Sequence, residues 1–312
     1  MGGDGTFNQM VNGMLARSDK KTIPVGLIPT GQSNDMARSL GLAVEGTLHA
    51  LEVIAKGETI TIDTTRVLLD HDSEKTLPAG IDRLHFCRHM MSNSMLSMPA
   101  KIANGAETLK GCFGSSSYSL STYFQAFSCG FVADTYSLTI DDVAFNQGSL
   151  NTALMMVNNG KYANGGMIMN PFAAINDGLI DITWISDPSY SGTLGVTGIF
   201  SDAGGGAGIQ AYRGHSQYVR GKKIRIEVPQ QEPEQAQPEL EFTDGDEAAT
   251  TPSEPVKQVC MIDGEPLSYE RSITWECFPG NLEILFDDSY FTQNQTFSRK
   301  LTAEVERDRS IM

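Results

Sequence analysis

Glycine, aspartate and threonine crowded ahead of a helix can hold a phosphate, and Gly2-Gly3-Asp4-Gly5-Thr6 is such a run. Phe7, Met10, Val11, Met14 and Leu15 follow at the i, i+3, i+4, i+7, i+8 spacing of one apolar helix face. A glycine turn that opens a helix lets backbone N–H groups converge on an anion, with the positive end of the helix dipole behind them. Gly2, Gly3, Gly5 and Thr6 are therefore expected to contact phosphate. Asp4 would repel a phosphate if it pointed inward alone, so its carboxylate is expected to face a metal ion or an attacking hydroxyl. Together these residue types suggest phosphoryl transfer, although the same pentapeptide also serves as an ordinary turn and helix cap.

A second segment repeats the pattern. Pro24 to Pro29 reads as a short buried strand, and Thr30-Gly31-Gln32-Ser33-Asn34-Asp35 as a polar turn into a helix at Met36–Leu40. Two strand–loop–helix units place two phosphate-friendly loops at one edge of a parallel sheet, where open α/β folds bind ligands. Near the other end, Asp263 and Glu265 flank Gly264. If that strand stays extended both carboxylates share a face, and if Asp-Gly-Glu-Pro is a hairpin turn they do not. Hard carboxylate oxygens suit Mg²⁺, which usually takes only one or two protein ligands.

Past residue 62 the chain reads mostly as strands. Ile180, Ile182 and Trp184 alternate with polar residues, as do Ile224, Ile226 and Val228, and Ile273, Trp275 and Cys277. Period-two alternation predicts half-buried antiparallel sheets. The architecture is thus α/β followed by β: an α/β nucleotide-binding domain over 1–62, a β-sandwich domain over 63–290, and a tail over 291–312. Residues 230–255 hold eight acidic residues, four prolines and no Lys or Arg, and read as a disordered acidic insertion. That segment carries about half of the net charge of −15, and the remainder is still acidic, which argues against nucleic-acid binding. No apolar run reaches membrane-spanning length, and five scattered cysteines without a C-x-x-C pair fit free thiols in a reducing compartment. His85, Cys87 and His89 are read as an exposed polar loop rather than a metal site. Arg213, His215, Arg220, Lys222, Lys223 and Arg225 are read as a solvated strand edge or a face for anionic headgroups.

The ordered blocks resemble one family. Gly2-Gly3-Asp4-Gly5-Thr6, Val11-Asn12-Gly13 and Pro29 to Arg38, then Gly130 to Ala133, Val157 to Gly160, Gly165-Gly166, Pro171 to Ala173, Asp177 to Leu179 and Ile262 to Glu265, are similar to the diacylglycerol kinase catalytic-domain family. That resemblance implies the same two domains with a cleft between them, ATP and Mg²⁺ as cofactors, and transfer to the hydroxyl of a neutral lipid, diacylglycerol first. It implies Asp263, Asp4 and Asp35 as catalytic carboxylates, with Asp263 as base or metal-linked acid. Gly31, Ser33 and Asn34 would line the phosphate loop, and Glu265 would contact nucleotide or, with Asp263, the metal. The partner is then a lipid at a membrane surface, met by a cytoplasmic, peripherally bound protein with no transmembrane segment; a homodimer is compatible with this reading.

Departures from the family pattern qualify it. The family usually has Glu where this chain has Gln9, which cannot act as a base. Relatives carry a strand, a helix and a strand ahead of the glycine loop, so the resemblance implies a chain that starts inside its nucleotide domain and is weakly active alone. Sphingosine kinases have an acidic residue at the place of Tyr136, which disfavours sphingosine. The alternatives are a metabolite kinase of the NAD kinase type and an inactive nucleotide- or lipid-binding fragment.

Overall fold

The computed structural model describes residues 1–19, 21–42, 46–97, 100–101, 133–145, 149–163, 165–186, 216–229 and 257–288. The expectations for 230–255, for 291–312, for Gly130 to Val132 and for Arg213 and His215 lie outside the described residues. Four helices occur among them: α1 Asp4–Leu15, α2 Asp35–Ser39, α3 Thr47–Lys56 and α4 Arg83–Phe86. The strands are β1 Thr59–Leu69, β2 Cys87–Met90, β3 Asn93–Ser97, β4 Asp134–Ile140, β5 Val143–Ala144, β6 Leu150–Thr152, β7 Leu154–Asn158, β8 Tyr162–Ala163 and β9 Met167–Ile168. After these come β10 Ile180–Ile185, β11 Ser216–Gly221, β12 Lys223–Glu227, β13 Gln258–Ile262, β14 Glu265–Tyr269 and β15 Ser272–Leu285.

Two antiparallel sheets face each other, one ordered β2-β1-β15-β12-β4-β5 with β6 on β4, the other β11-β10-β7-β3-β13-β14. The alternating strands supply their shared core: Ile224, Ile226, Ile273 and Trp275 meet Ile180, Ile182, Trp184 and Val157. These are the side chains that period-two alternation assigns to one face. The opposite face of β10 departs from the half-buried expectation, because Asp181 and Thr183 are also fully buried. Arg220 and Tyr218 of β11 cover them, with Phe172 against the Tyr218 ring.

A second core gathers Phe7 and Val11 of α1, Val25, Leu27, Met36, Leu40 and Val53 with Ile62, Leu282 and Ile284. The long pair β1 and β15 therefore runs through both cores, and β1 crosses residue 62 without a break in the strand. A register shift between Ile62 and Thr64 marks the crossing. There the buried Asp63 carboxylate accepts from the N–H groups of Gly178 (2.7 Å) and Gly280 (2.8 Å), and burial pushes the carboxyl up.

The parallel sheet expected at the N-terminal loops is reduced, among the described residues, to two isolated parallel bridges, Gly2 with Pro29 and Val25 with Ile284. Pro24 and Pro29 lack N–H donors, so the segment loses a ladder bond at each end. The amphipathic face of α1 also departs at one position. Phe7 and Val11 are buried and Met14 and Leu15 pack against the same core, but Met10 is 46% exposed and Asn8 and Asn12 are buried beside Phe7 and Val11.

Candidate functional site

The two glycine loops meet. The Gly2 N–H donates to Ile28 O at 3.2 Å and the Thr30 N–H to Gly2 O at 3.1 Å. A Cβ on Gly31 would sit 2.3 Å from the Gly3 Cα, so backbone approaches backbone and no larger residue fits. Asn34 closes the second loop upon itself: its Oδ1 accepts from the Gly31 N–H at 2.9 Å and its Nδ2 donates to Gly31 O at 2.6 Å. The left-handed backbone of Asn34, φ 52°, makes this reach possible and starts α2. Arg38 reaches back from α2 to donate to Ser33 O at 3.2 Å. At α1 no side chain caps the first turn, and the Gly5 Cβ position opens onto free space. The first N–H groups of a twelve-residue helix are thus presented beside the second loop.

Asp4 and Asp35 bracket this junction. The Asp4 carboxylate accepts from the Met36 N–H at 3.1 Å, holding the start of α2 against that of α1. Asp35 is buried and accepts from the N–H groups of Gly165 (3.1 Å) and Gly166 (2.8 Å), which lie between β8 and β9. Burial and, after it, the Asp4 charge push the Asp35 carboxyl up to about 6. The folded state therefore binds this proton more tightly than the unfolded chain, whose Asp titrates at about 3.9. The proton's stabilisation is complete below about pH 4 and is lost as pH rises through about 6, a swing of at most about 3 kcal/mol. Asp35→Asn is expected to flatten the stability profile by that amount. Urea unfolding at pH 4.5 and 7 measures it, and an unchanged slope would remove Asp35 as the source. Asp181, also raised to about 6 by burial, titrates in the same window and keeps a pH dependence in the variant.

The Asp-Gly-Glu segment is a hairpin, the second of the two arrangements its sequence leaves open. Asp263 (φ 47°) and Gly264 (φ 86°) form the two-residue turn between β13 and β14, with Ile262 paired to Glu265. Two successive positive φ values define the turn that best matches strand twist, and Asp-Gly is a preferred pair for it. Asp263 folds under the sheet and is 3% exposed. Its Oδ1 accepts from the N–H groups of Ser92 and Asn93, both at 2.9 Å. Its Oδ2 accepts from the Met91 N–H at 2.7 Å and from Asn8 Nδ2 at 2.8 Å. Burial pushes this carboxyl up and the four donors pull it down, with burial the larger. Glu265 stands at the edge instead, its side chain 27% exposed. Gln9 Nε2 donates to its Oε1 at 2.6 Å and Arg88 Nη1 to its Oε2 at 2.5 Å.

Helix α1 ties both halves of the site together. Asn8 and Asn12 donate to His89 O at 2.9 and 2.8 Å, and Asn12 accepts the His89 N–H at 2.7 Å. One helix thus starts at the glycine loops and lies along β2 and the β13–β14 turn. The structure brings Gly2, Gly3, Asp4, Gly31, Ser33, Asn34 and Asp35 together at the N-terminal end of α1, and places Asp263 and Glu265 against its middle. Asn8 and Arg88 escaped the sequence reading, and Arg38 entered it only as the end of a motif. Asn8 and Asn12, four apart inside an apolar stripe, were the available signal; Arg88 carried none.

The structure also describes the positions of three other groups that the sequence singles out. Cys87 to Met90 form strand β2 rather than an exposed loop, with His89 Nδ1 2.9 Å from Thr64 Oγ1. No cluster of three or more His, Cys, Asp or Glu able to hold a metal occurs among the described residues. Tyr136 is buried in the sandwich, its hydroxyl 3.4 Å from Ser97 Oγ and 3.3 Å from the Tyr269 hydroxyl. Of the basic group, Arg220 pairs with Asp177 and Asp181, Lys223 with Asp142, and Arg225 with Asp72 and Glu227. That pairing favours a solvated sheet surface.

Comparison with known proteins finds two family models along the chain. The family model of the diacylglycerol kinase catalytic domain matches residues 1–67, and that of the YegS C-terminal NAD kinase beta sandwich-like domain matches residues 96–286. A probable lipid kinase YegS-like protein of Pectobacterium atrosepticum is 28% identical over 191 residues, 59% of this chain and 54% of that one. Its counterpart in Yersinia enterocolitica is 25% identical over 205 residues, 64% of this chain and 60% of that one. The chain therefore spans a little over half the length of these curated relatives. The crystal structure of a diacylglycerol kinase from Bacillus anthracis shares the fold, with a TM-score of 0.54 and 18% identity over 92% of this chain and 75% of that one. With the sandwich matched over residues 96–286, the chain belongs to the family of the YegS C-terminal NAD kinase beta sandwich-like domain, and its first 67 residues match the diacylglycerol kinase catalytic domain.

Proposed function

We propose that this chain carries the active centre of a lipid kinase, transferring the γ-phosphate of ATP to the hydroxyl of a neutral lipid, diacylglycerol foremost. The observation that carries the reading is the double engagement of α1: its open N-terminus meets the two glycine loops, and its residues Asn8 and Gln9 hold Asp263 and Glu265. Gln9 lies five residues beyond Asp4, a rise of about 7.5 Å along the helix. A phosphate at the N-terminus and a hydroxyl beside Glu265 are then within the span of a single in-line transfer. The N–H groups of α1 and of the Gly31 loop hold phosphate oxygens, which is the positioning on which phosphoryl transfer depends. A Mg²⁺ ion bound with the nucleotide would supply charge neutralisation of the triphosphate. Glu265 receives the hydroxyl proton, because its exposed oxygens retain free lone pairs and those of Asp263 do not. Asp4 and Asp35 fix the loops against each other and against the β8–β9 segment.

The similar proteins described as lipid kinases support the substrate class, and no described helix is long and apolar enough to cross a membrane, which fits a lipid met at the membrane surface. Tyr136 offers no carboxylate for an ammonium, and its hydroxyl is engaged inside the core. With radiolabelled ATP and a panel of lipids in mixed micelles, transfer to diacylglycerol or monoacylglycerol is expected to exceed transfer to sphingosine at least tenfold. Transfer to NAD with none to any lipid would replace this reading with the metabolite-kinase one.

A further inference from the structure

A carboxylate that binds a metal must offer it lone pairs without a competing cation beside it, and each carboxylate oxygen of the hairpin already accepts from at least one nitrogen donor. An ionised carboxylate has about four acceptor sites. On Asp263 all four are taken, by three backbone N–H groups and Asn8 Nδ2. On Glu265 one oxygen receives Gln9 Nε2 at 2.6 Å and the other the Arg88 guanidinium at 2.5 Å. Arg88 is itself buried and fixed, its Nε donating to Leu84 O at 2.8 Å. Its positive charge sits where a cation shared between Asp263 and Glu265 would have to compete with it. Gln9 is exposed on α1, so its amide is free to choose another direction and is nonetheless directed onto Glu265.

We propose that Gln9, with Arg88 on the opposite side, is a positioning residue that holds Glu265 in the place of a protein-bound divalent cation, so that the hairpin binds no metal of its own. The inference rests on the proposed function only in taking Glu265 as the carboxylate at the cleft. Any divalent cation used in transfer then enters on the nucleotide. The side chain at position 9 decides the matter because of the short contact. A carboxylate there would face the Glu265 Oε1 at hydrogen-bonding distance, and two carboxylates so close require a shared cation or a shared proton.

The test is equilibrium Mn²⁺ binding to the full chain without nucleotide, read from the electron paramagnetic resonance signal of free Mn²⁺. Wild type is expected to show no Mn²⁺ site that E265Q removes. Q9E is expected to gain a site at least tenfold tighter than any in wild type, and Q9E combined with E265Q to lose it. Because Gln9 is exposed, Q9E should keep the wild-type circular dichroism spectrum. A wild-type Mn²⁺ site abolished by E265Q would overturn the proposal, as would Q9E binding Mn²⁺ no better than wild type. Failure of the lipid-kinase reading would show separately, in the wild-type transfer assay, which this titration does not use.

Discussion

Asp263→Asn should unfold far more readily than wild type, losing about 2–4 kcal/mol of stability. The carboxylate takes two donors on each oxygen, from Ser92 and Asn93 on one side and from Met91 and Asn8 on the other. An asparagine can satisfy one pair, but its amide nitrogen would face the other pair donor to donor. Each buried N–H left without an acceptor costs about 1–3 kcal/mol. A neutral side chain recovers part of this, because burial already pushes the Asp263 carboxyl up and its charge is expensive to keep there. At about 2–4 °C per kcal/mol for a chain of this size, the melting temperature should fall by roughly 5–15 °C. Thermal melting and urea unfolding check this together, and a variant within 1 °C of wild type (about 0.5 kcal/mol) would show that the turn is held by something else. A base exposed in a cleft would behave otherwise, losing activity at constant stability.

That contrast shows where the sequence was legible and where it was not. The glycine loops could be read because their requirement is steric and local: Gly3 and Gly31 touch through backbone atoms, which leaves no residue choice. The sandwich strands could be read because Ile180, Ile182 and Trp184, or Ile224 and Ile226, face one core in strict alternation. The Asp-Gly pair also carried its own signal for a two-residue hairpin, and the geometry follows it. Its sequence cannot reveal that three consecutive N–H groups, at Met91, Ser92 and Asn93, converge beneath it from a segment about 170 residues away.

One position on the face of α1, Met10, departs for a related reason. Hydrophobic periodicity counts apolar side chains, so it favoured Met10, whereas the buried positions beside Phe7 and Val11 are Asn8 and Asn12. Those amides are inside because the backbone of His89 needs partners where β2 passes the helix. A boundary at residue 62 likewise follows the change in pattern along the chain, but β1 and β15 pair on both sides of it and contribute Ile62 and Leu282 to one core, Val67 and Trp275 to the other. Long-range pairing leaves no mark in local composition.

Glu265→Gln should act in the opposite way to the Asp263 variant, sparing the fold and removing the chemistry. Glu265 is partly exposed, and a glutamine can still accept from Gln9 through its carbonyl oxygen. The loss is the charge opposite Arg88, a pair in which Arg88 is nearly buried and Glu265 is not. That costs about 1–2 kcal/mol, less than the Asp263 change, because solvent reaches the remaining partner. In transfer the amide has no lone pair basic enough to take the hydroxyl proton, and general-base catalysis contributes about 10²–10⁴ in rate. We therefore expect kcat for phosphate transfer to diacylglycerol to fall about 10²–10⁴-fold with the KM for ATP nearly unchanged, since the proposed function puts the triphosphate at the other end of α1. Steady-state kinetics on the variant, beside its melting temperature, separates the two effects. A kcat within threefold of wild type would remove Glu265 from the proton-transfer step, and a KM for ATP that rises in parallel with the loss would move its role to nucleotide binding.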